Sequence, residues 1–257
     1  MRRARSRSLI VPVLFTLAGV AMLVALGVWQ LHRLAWKEAL IARVAARTEA
    51  PAVPAPAEAD WPHVTAERDE YRRVTVTGTF RHDREALCYA LLSDARGKFS
   101  GPGYWVLTPL QLAGGATVLV DRGFVPLERA DAATRREGQA AGTVTVTGLL
   151  RLPEGRSWFT PADDPSRGIF QERDPAAIAK AYGLLRAAPF FIDADAAPNP
   201  GGLPQGGETR LVFPNNHLSY AITWFGLALA LIAVFIAFVL KQTRGPQARL
   251  NRGKAAR

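Results

Sequence analysis

The chain has 257 residues, of which 49% are hydrophobic and 21% charged, so it is long and apolar enough to form a sizeable core. Its single cysteine, Cys88, excludes an intramolecular disulfide, a Cys-rich zinc site and a dicysteine copper site within one chain. The net charge of +10 resides in two tails, residues 1–8 and 241–257, which carry ten basic residues and no acidic one. The rest of the chain has no net charge, so the overall charge does not indicate a nucleic-acid-binding protein.

Two uncharged stretches of 23 residues, 9–31 and 218–240, adjoin these tails. A helix rises about 1.5 Å per residue, so each stretch reaches roughly 34 Å and crosses a hydrocarbon core of about 30 Å. We therefore predict an integral membrane protein in which two transmembrane helices flank an extramembrane domain. The positive-inside rule places both basic tails in the cytoplasm and residues 32–217 on the opposite side.

The first stretch has two alternative interpretations. Its basic start, apolar run and Ala25-Leu26-Gly27 sequence are also typical of a cleaved signal peptide, although the apolar run is longer than the usual 7 to 15 residues. An organelle transit peptide is the second alternative, for which the eight preceding residues are too few. The retained transmembrane helix is the interpretation we adopt.

Three segments follow the first stretch. Residues 32–48 keep apolar positions at helical spacing and are predicted to extend the helix into water. Residues 49–62 contain four prolines among alanines, which end the helix and form a stiff, extended linker. Residues 63–217 form the predicted periplasmic domain.

This domain is predicted to be small and mainly β, with some helix (α+β), of barrel or sandwich type. Val74, Val76 and Phe80 alternate with threonines, which is the two-residue period of a strand with one buried face. Asp174 and Pro175 are suited to begin the single predicted helix. That helix is 174–185, and the further predicted strands are 86–92, 104–110, 117–121, 143–152 and 190–192.

The pentapeptide Val-Thr-Val-Thr-Gly occurs at residues 74–78 and again at residues 144–148. Repeat architectures need sustained self-similarity, and a β-rich composition produces short matches by coincidence. We interpret the recurrence as such a coincidence, with an internal duplication as the alternative.

No familiar catalytic signature is present, since the chain contains no GxSxG, P-loop, GxGxxG or HExxH sequence. The neighbouring carboxylates Asp163 and Asp164 stand in a turn composition. Asp193 and Asp195 close a predicted strand before a proline. We therefore predict that the protein is not an enzyme.

Polar and aromatic side chains gather where the two spans meet the outer face of the membrane. His217, Tyr220 and Trp224 stand at i, i+3 and i+7, so a helix presents them on one face. Trp29 and Arg33, at i and i+4, share a face of the first span in the same way. A two-helix hairpin would bring these groups to one depth in the membrane.

Two functions fit such a cluster. Interfacial aromatics and snorkelling cations form ordinary anchoring belts without any ligand. Alternatively, a neutral His217 supplies an axial ligand to haem iron, Tyr220 and Trp224 pack on the porphyrin, and Arg33 or Lys37 neutralises its propionates.

Four motifs follow one another along the chain: Leu-Gly-Val-Trp-Gln-Leu at 26–31, Gly-Tyr-Trp-Val-Leu-Thr-Pro-Leu at 103–110, Val-Leu-Val-Asp-Arg-Gly-Phe-Val-Pro at 118–126, and Asn-His-Leu-Ser-Tyr-Ala-Ile-Thr-Trp-Phe at 216–225. With these motifs the chain resembles the surfeit locus protein 1 family, assembly factors for haem-copper cytochrome c oxidase. Asp121 and Phe124 depart from the Asn and Trp expected in many relatives, which concerns local packing only.

The resemblance implies a membrane hairpin that helps to insert or stabilise haem A in oxidase subunit I, with haem A synthase as a further partner. It also implies haem A binding, with His217 as a proposed iron ligand. Arg122 is expected to order the turn after its strand, where Gly123 allows a backbone conformation that other residues adopt at a cost. Arg210 is a further candidate for a propionate contact.

Three functions are compared. The first is a non-enzymatic assembly factor that carries haem A, and the second is a structural scaffold that binds an oxidase subunit without haem. The third is a membrane-anchored sensor or hydrolase, for which the tails are too short to form an output domain. The short basic N-terminus favours a bacterial plasma membrane, with the mitochondrial inner membrane as the alternative.

Overall fold

The computed structural model describes residues 9–209, 211 and 213–254, with the backbone alone for 243–254. The chain divides into two units, one formed by residues 1–42 and 212–257 and the other by residues 43–211. The predicted basic tail at 1–8, the last three residues of the C-terminal tail and Arg210 lie outside the described residues.

Four α-helices are present in the described chain: α1 (Ile10–Glu49), α2 (Ala66–Asp69), α3 (Pro175–Tyr182) and α4 (His217–Lys254). Helix α1 continues without a break through the segment predicted as its extension, and α4 begins at His217, one residue before the predicted span. Helix α1 and the part of α4 up to Gln242 are both long and apolar enough to cross a membrane. The predicted fold class, two transmembrane helices flanking a mainly β domain, is confirmed.

The β domain contains eight strands: β1 (Val53–Pro54), β2 (Arg73–Phe80), β3 (Ala86–Leu92), β4 (Gly101–Gln111), β5 (Thr117–Pro126), β6 (Thr143–Arg151), β7 (Ile169–Phe170) and β8 (Ala187–Ala194). Their order in the sheet is β1-β2-β6-β8-β5-β4-β3-β7. A further pairing of β2 with β4 joins five of them, β2, β6, β8, β5 and β4, into a small closed barrel. Closure leaves these strands without a free edge inside the ring.

The barrel interior is filled by side chains from facing strands. Phe190 is fully buried, and its ring meets the Trp61 ring edge to face at a centroid distance of 6.3 Å. Val74 and Val76 of β2 are buried and Phe80 is partly buried, so the predicted alternation is confirmed. A second apolar cluster beneath α3 contains Cys88, and burial raises the pKa of its thiol.

The two Val-Thr-Val-Thr-Gly pentapeptides pair with each other. Strands β2 and β6 run antiparallel, with Val74 opposite Gly148 and Gly78 opposite Val144. The hydroxyls of Thr77 and Thr145 lie 2.8 Å apart across the two strands. The recurrence therefore places identical residue types on one face of a strand pair.

Helix α3 begins as predicted and ends earlier. The Asp174 side chain accepts a hydrogen bond from the Ala176 N–H at 2.9 Å, and Pro175 occupies the first turn. The helix ends at Tyr182, three residues before the predicted end, because Gly183 adopts a left-handed conformation with φ of 66°.

Strand β5 is longer than predicted, and this overturns the role assigned to Arg122. The strand continues through Arg122 and Gly123 to Pro126, and all ten of its residues are buried. Arg122 therefore lies inside a strand rather than in a turn. Strand β4 pairs on both sides of these two positions, Leu107 with Asp121 and Trp105 with Phe124, so β5 continues across them at an irregularity in the register.

Candidate functional site

The second membrane helix begins with an imidazole held by a hydrogen bond. Nδ1 of His217 lies 2.8 Å from Oε1 of Gln30 on α1. An amide oxygen only accepts hydrogen bonds, so Nδ1 carries the proton and donates it. In the neutral ring the other nitrogen, Nε2, then has a lone pair that can accept a hydrogen bond or bind a metal ion.

A small residue brings α1 and α4 together beside this hydrogen bond. A Cβ added to Gly27, one turn before Gln30, would lie 2.6 Å from the Phe225 ring. Small residues allow membrane helices to approach each other closely. The close approach lets the Gln30 side chain reach across to the imidazole.

Four other predicted site residues lie within two turns of this pair, two on α1 and two on α4. Trp29 is 54% exposed and Tyr220 is 56% exposed, while Trp224 is partly buried. Arg33 is exposed, with its guanidinium carbon 4.7 Å from the centre of the Trp36 ring. Among the described residues, no hydrogen bond or ring contact connects any of these four candidates with the imidazole.

The contact that does reach His217 comes from a residue that the sequence reasoning overlooked. Gln30 is only 9% exposed, and the stretch 9–31 contains just two other side chains with a hydrogen-bonding N–H or O–H group, Thr16 and Trp29. A carboxamide in a membrane-spanning stretch is costly unless it is paired. This cost is the signal that would have identified Gln30 from the sequence.

The β domain holds a second cluster, at a cavity of about 330 Å³. Nη1 of Arg173 donates to Oδ2 of Asp121 at 3.0 Å and to Oδ1 of Asp193 at 3.2 Å, and Nη2 donates to Glu154. Nη1 of Arg151 donates to Oδ2 of Asp193 at 2.9 Å. All five side chains line the cavity, so three carboxylates share two guanidiniums.

Burial at this cavity changes the pKa of one of its carboxyl groups, that of Asp121. Burial, with repulsion from Asp193 as the second cause, raises the pKa of Asp121 from 3.8 to about 7, although Arg173 opposes the shift. The folded protein therefore binds a proton at Asp121 that the unfolded chain releases at lower pH.

We expect this shift to make the β domain less stable as the pH rises from about 4 to about 7. A carboxyl with a raised folded-state pKa stabilises the fold below its unfolded pKa, and that stabilisation is lost as pH approaches the folded pKa. The loss is about 1.4 kcal/mol per pH unit at most, because one pKa unit corresponds to that energy. Thermal unfolding of the full chain, followed by tryptophan fluorescence across this pH range, measures it.

The Asp121→Asn variant should remove this pH dependence, because its side chain does not titrate. Asp164→Asn is the matched control, since Asp164 is partly exposed and the Ser166 hydroxyl lowers its pKa from 3.8, away from the pH range of the experiment. A wild-type profile that stays parallel to that of Asp121→Asn would contradict the prediction.

The remaining paired carboxylates have the local roles predicted for them. Asp163 accepts a hydrogen bond from the Gln171 N–H at 2.9 Å, and Asp164 accepts one from the Arg167 N–H at 3.3 Å. Asp195 follows the end of β8 and pairs with Arg73 at 2.6 Å. Asp193 alone of these four belongs to the cavity cluster.

Arg122 belongs to a third charged cluster, built on Glu85. Glu85 Oε2 accepts from Arg135 Nη2 at 2.7 Å, and Oε1 accepts from Arg122 Nη1 at 3.3 Å. The pKa of Glu85 is lower than its usual value. Burial by itself would raise this pKa, but the hydrogen bonds from His82 and Arg135 have the larger combined effect. Arg122 is 4% exposed, so its guanidinium is committed to this cluster.

These charged groups do not assemble into a metal centre. Within the part of the chain that the structure describes, no three His, Cys, Asp or Glu side chains lie together as a metal site would need.

Comparison with known proteins covers both units. Residues 17–229 match the SURF1 family. Surfeit locus protein 1 of Rattus norvegicus is 37% identical over 230 residues, which cover 86% of this chain and 73% of that protein. The Homo sapiens protein of the same name is 36% identical over 231 residues, covering 86% and 75%. The SURF1-like protein of Monosiga brevicollis is 38% identical over 220 residues, covering 82% and 81%.

Proposed function

The chain belongs to the SURF1 family, and on that premise we propose that it is a membrane-embedded assembly factor for haem-copper cytochrome c oxidase. In this proposal the protein is a carrier and not an enzyme: it receives haem A and passes it to oxidase subunit I. Haem A synthase is the proposed donor. The role depends on holding the cargo reversibly at the end of the two membrane helices.

The observation that carries this proposal is the hydrogen bond between His217 and Gln30. It leaves the Nε2 lone pair of a neutral imidazole free, and haem iron accepts such an imidazole as an axial ligand. The donor set therefore fits the group. Within the described residues, no other histidine accompanies His217 on α4.

Cationic and aromatic side chains complete the proposed haem contact. Arg33 and Lys37 follow Gln30 within two turns of α1, and either supplies a charge-assisted hydrogen bond to a propionate. The exposed faces of Trp29 and Tyr220 offer aromatic surface for a porphyrin. Trp224 is the third aromatic candidate. In the protein alone, this exposure leaves room for a flat ligand at the helix surface.

A scaffold function without haem is supported by a different feature. Trp158 is 95% exposed and Phe159 is 71% exposed, and their rings meet edge to face at a centroid distance of 5.6 Å. Exposed aromatic residues of this kind are typical anchors of protein interfaces. They give the β domain a surface for an oxidase subunit whether or not haem is bound.

We propose a bacterial plasma membrane as the location, with both termini in the cytoplasm and the β domain in the periplasm. The mitochondrial inner membrane is the alternative. Reporter fusions at the two ends and within the β domain determine the topology. Termini on opposite sides of the membrane would contradict the hairpin.

The decisive variant is His217→Ala. We expect the wild-type protein, purified from a membrane that produces haem A, to carry a haem A spectrum, and the variant to lose it while remaining in the membrane. The reason is the loss of the only nitrogen ligand that the proposed site contains. The optical spectrum and the amount of assembled oxidase are the two measurements.

His32→Ala is the matched control, because His32 lies on α1 and its side chain is exposed. The control should keep the haem of the wild-type protein. A colourless wild-type protein that still captures subunit I would establish the scaffold function instead. Unchanged haem content in His217→Ala would remove His217 from the site.

A further inference from the structure

We propose that Gln30 is a positioning residue that selects Nε2 of His217 as the ligating atom and sets its strength as a ligand. This inference rests on the proposed function for the nature of the ligand, and on the hydrogen bond for the role of Gln30. Gln30 itself touches no iron in this scheme. It acts through the imidazole ring.

The hydrogen bond restricts the ring in two ways. Donation from Nδ1 of His217 to Oε1 of Gln30 over 2.8 Å places the proton on Nδ1. The same contact limits rotation of the ring about its side-chain bonds. An isolated imidazole interconverts between tautomers and orientations, so the contact presents one nitrogen in one direction.

Burial gives this contact its strength. Gln30 is 9% exposed, and it stands on the face of α1 that also carries Gly27. Leaving a buried carboxamide without a partner has a desolvation cost, so Gln30 keeps the hydrogen bond that it has. The imidazole is therefore held by a group that lacks a competing solvent partner.

The chemical nature of the partner determines the basicity of Nε2. A group that accepts the Nδ1 proton orients the ring and makes the ligating nitrogen more basic. A neutral amide does so less strongly than a carboxylate, because it draws the proton less. A carboxamide at residue 30 therefore favours moderate ligation, which suits a cargo that must be released.

The first test examines the protein without haem. The full chain, in detergent micelles and with nitrogen-15 in its four histidines, is studied by NMR at about pH 8, where unperturbed imidazoles are neutral. We expect the wild-type His217 to show the single tautomer protonated at Nδ1. Gln30→Leu should show a mixture of both tautomers, and Gln30→Glu should restore the single one.

His32 serves as the internal reference in the same spectra, since it is exposed on the same helix. Its signals should be identical in all three proteins. They also report whether the helix survives each substitution. A His217 signal that does not respond to Gln30→Leu overturns the positioning role, whether or not the protein binds haem.

The second test examines the loaded protein. We expect Gln30→Leu to bind haem A about ten- to a hundredfold more weakly than the wild type, as is typical when a partner of a ligating imidazole is lost. Gln30→Glu should keep the haem and lower its reduction potential, because a carboxylate makes Nε2 a stronger donor. Titration with haem A measures the affinity, and spectroelectrochemical titration measures the reduction potential.

The two tests separate the failure of this inference from that of the proposed function. If the Gln30 variants change the tautomer of His217 as expected and the wild-type protein binds no haem A, the proposed function is overturned, and with it the ligand role of His217. If the wild-type protein binds haem A and neither Gln30 substitution changes the affinity or the reduction potential, the role of Gln30 alone is overturned. The full pattern of changes supports both.

Discussion

Replacing Arg173 by Met is expected to destabilise the β domain by about 3 to 5 kcal/mol. Arg173 donates to Asp121 and Asp193 at 3.0 and 3.2 Å and also to Glu154. Removing it leaves three carboxylates around one remaining guanidinium, that of Arg151. A buried charge without a partner has a large desolvation cost, and this cost is the origin of the effect.

The substitution tests charge in particular, because Met keeps much of the packing. The Arg173 guanidinium lies over the rings of Trp105 and Phe191 at 5.5 and 5.2 Å, where an unbranched thioether also packs well. Arg156→Met is the matched control, since Arg156 is partly exposed and pairs with Asp163 at the surface. We expect the control to change stability by less than about 1 kcal/mol.

A second substitution distinguishes electrostatics from packing. Asp121→Asn removes one of the carboxylates that Arg173 serves, so the double variant with Arg173→Met should recover part of the lost stability. Thermal or urea unfolding of the full chain, followed by tryptophan fluorescence, measures the stability of all five proteins: the wild type, the two single variants, the double variant and Arg156→Met. Equal losses in Arg173→Met and Arg156→Met, or strictly additive effects in the double variant, would contradict the charge explanation.

The second large effect is expected at Gly123. A Cβ added there would lie 2.1 Å from the backbone oxygen of Gln205, and the backbone φ is +121°. The contact is with backbone, which a side-chain rotation cannot relieve. We expect Gly123→Ala to cost about 3 kcal/mol or more, because it combines an unfavourable backbone conformation with a steric overlap.

The damage should appear first at one strand contact. Phe124 and Gln205 exchange two backbone hydrogen bonds, of 2.9 and 2.8 Å, directly beside Gly123. Displacing Gln205 breaks this pair, and hydrogen exchange at the Phe124 amide reports it. Gly114→Ala is the control, because nothing lies within 4 Å of its Cβ position and the residue is exposed. Protection at Phe124 that is equal in both variants would refute the explanation.

Local sequence patterns predicted the secondary structure well where burial is regular. Strand β3 has the predicted bounds, 86–92, and β2 buries the predicted face. The prediction was wrong at the far end of β5, where Arg122 and Gly123 have the composition of a turn. Partners from distant parts of the chain stabilise this segment: Glu85 pairs with Arg122, and Gln205 with Phe124. A window of local sequence contains neither partner.

The candidate site was predicted in the same partial way. Helical spacing placed His217, Tyr220 and Trp224 on one face of the second helix, and Trp29 and Arg33 on one face of α1. It could not select which face of α1 meets the imidazole. Gln30 lies 187 positions from its partner, and the close packing of α1 on α4, at Gly27 against Phe225 for example, turns Gln30 toward His217.

The sequence by itself determined that two apolar helices flank a neutral, mainly β domain, because span length and two-residue periodicity are properties of neighbouring residues. It also identified the histidine at the membrane boundary. The tertiary structure alone decided the partners of the polar groups: Gln30 for His217, and Arg173 for Asp121, 52 positions away. Such pairs depend on strand register and helix rotation, which the whole fold sets through long-range packing.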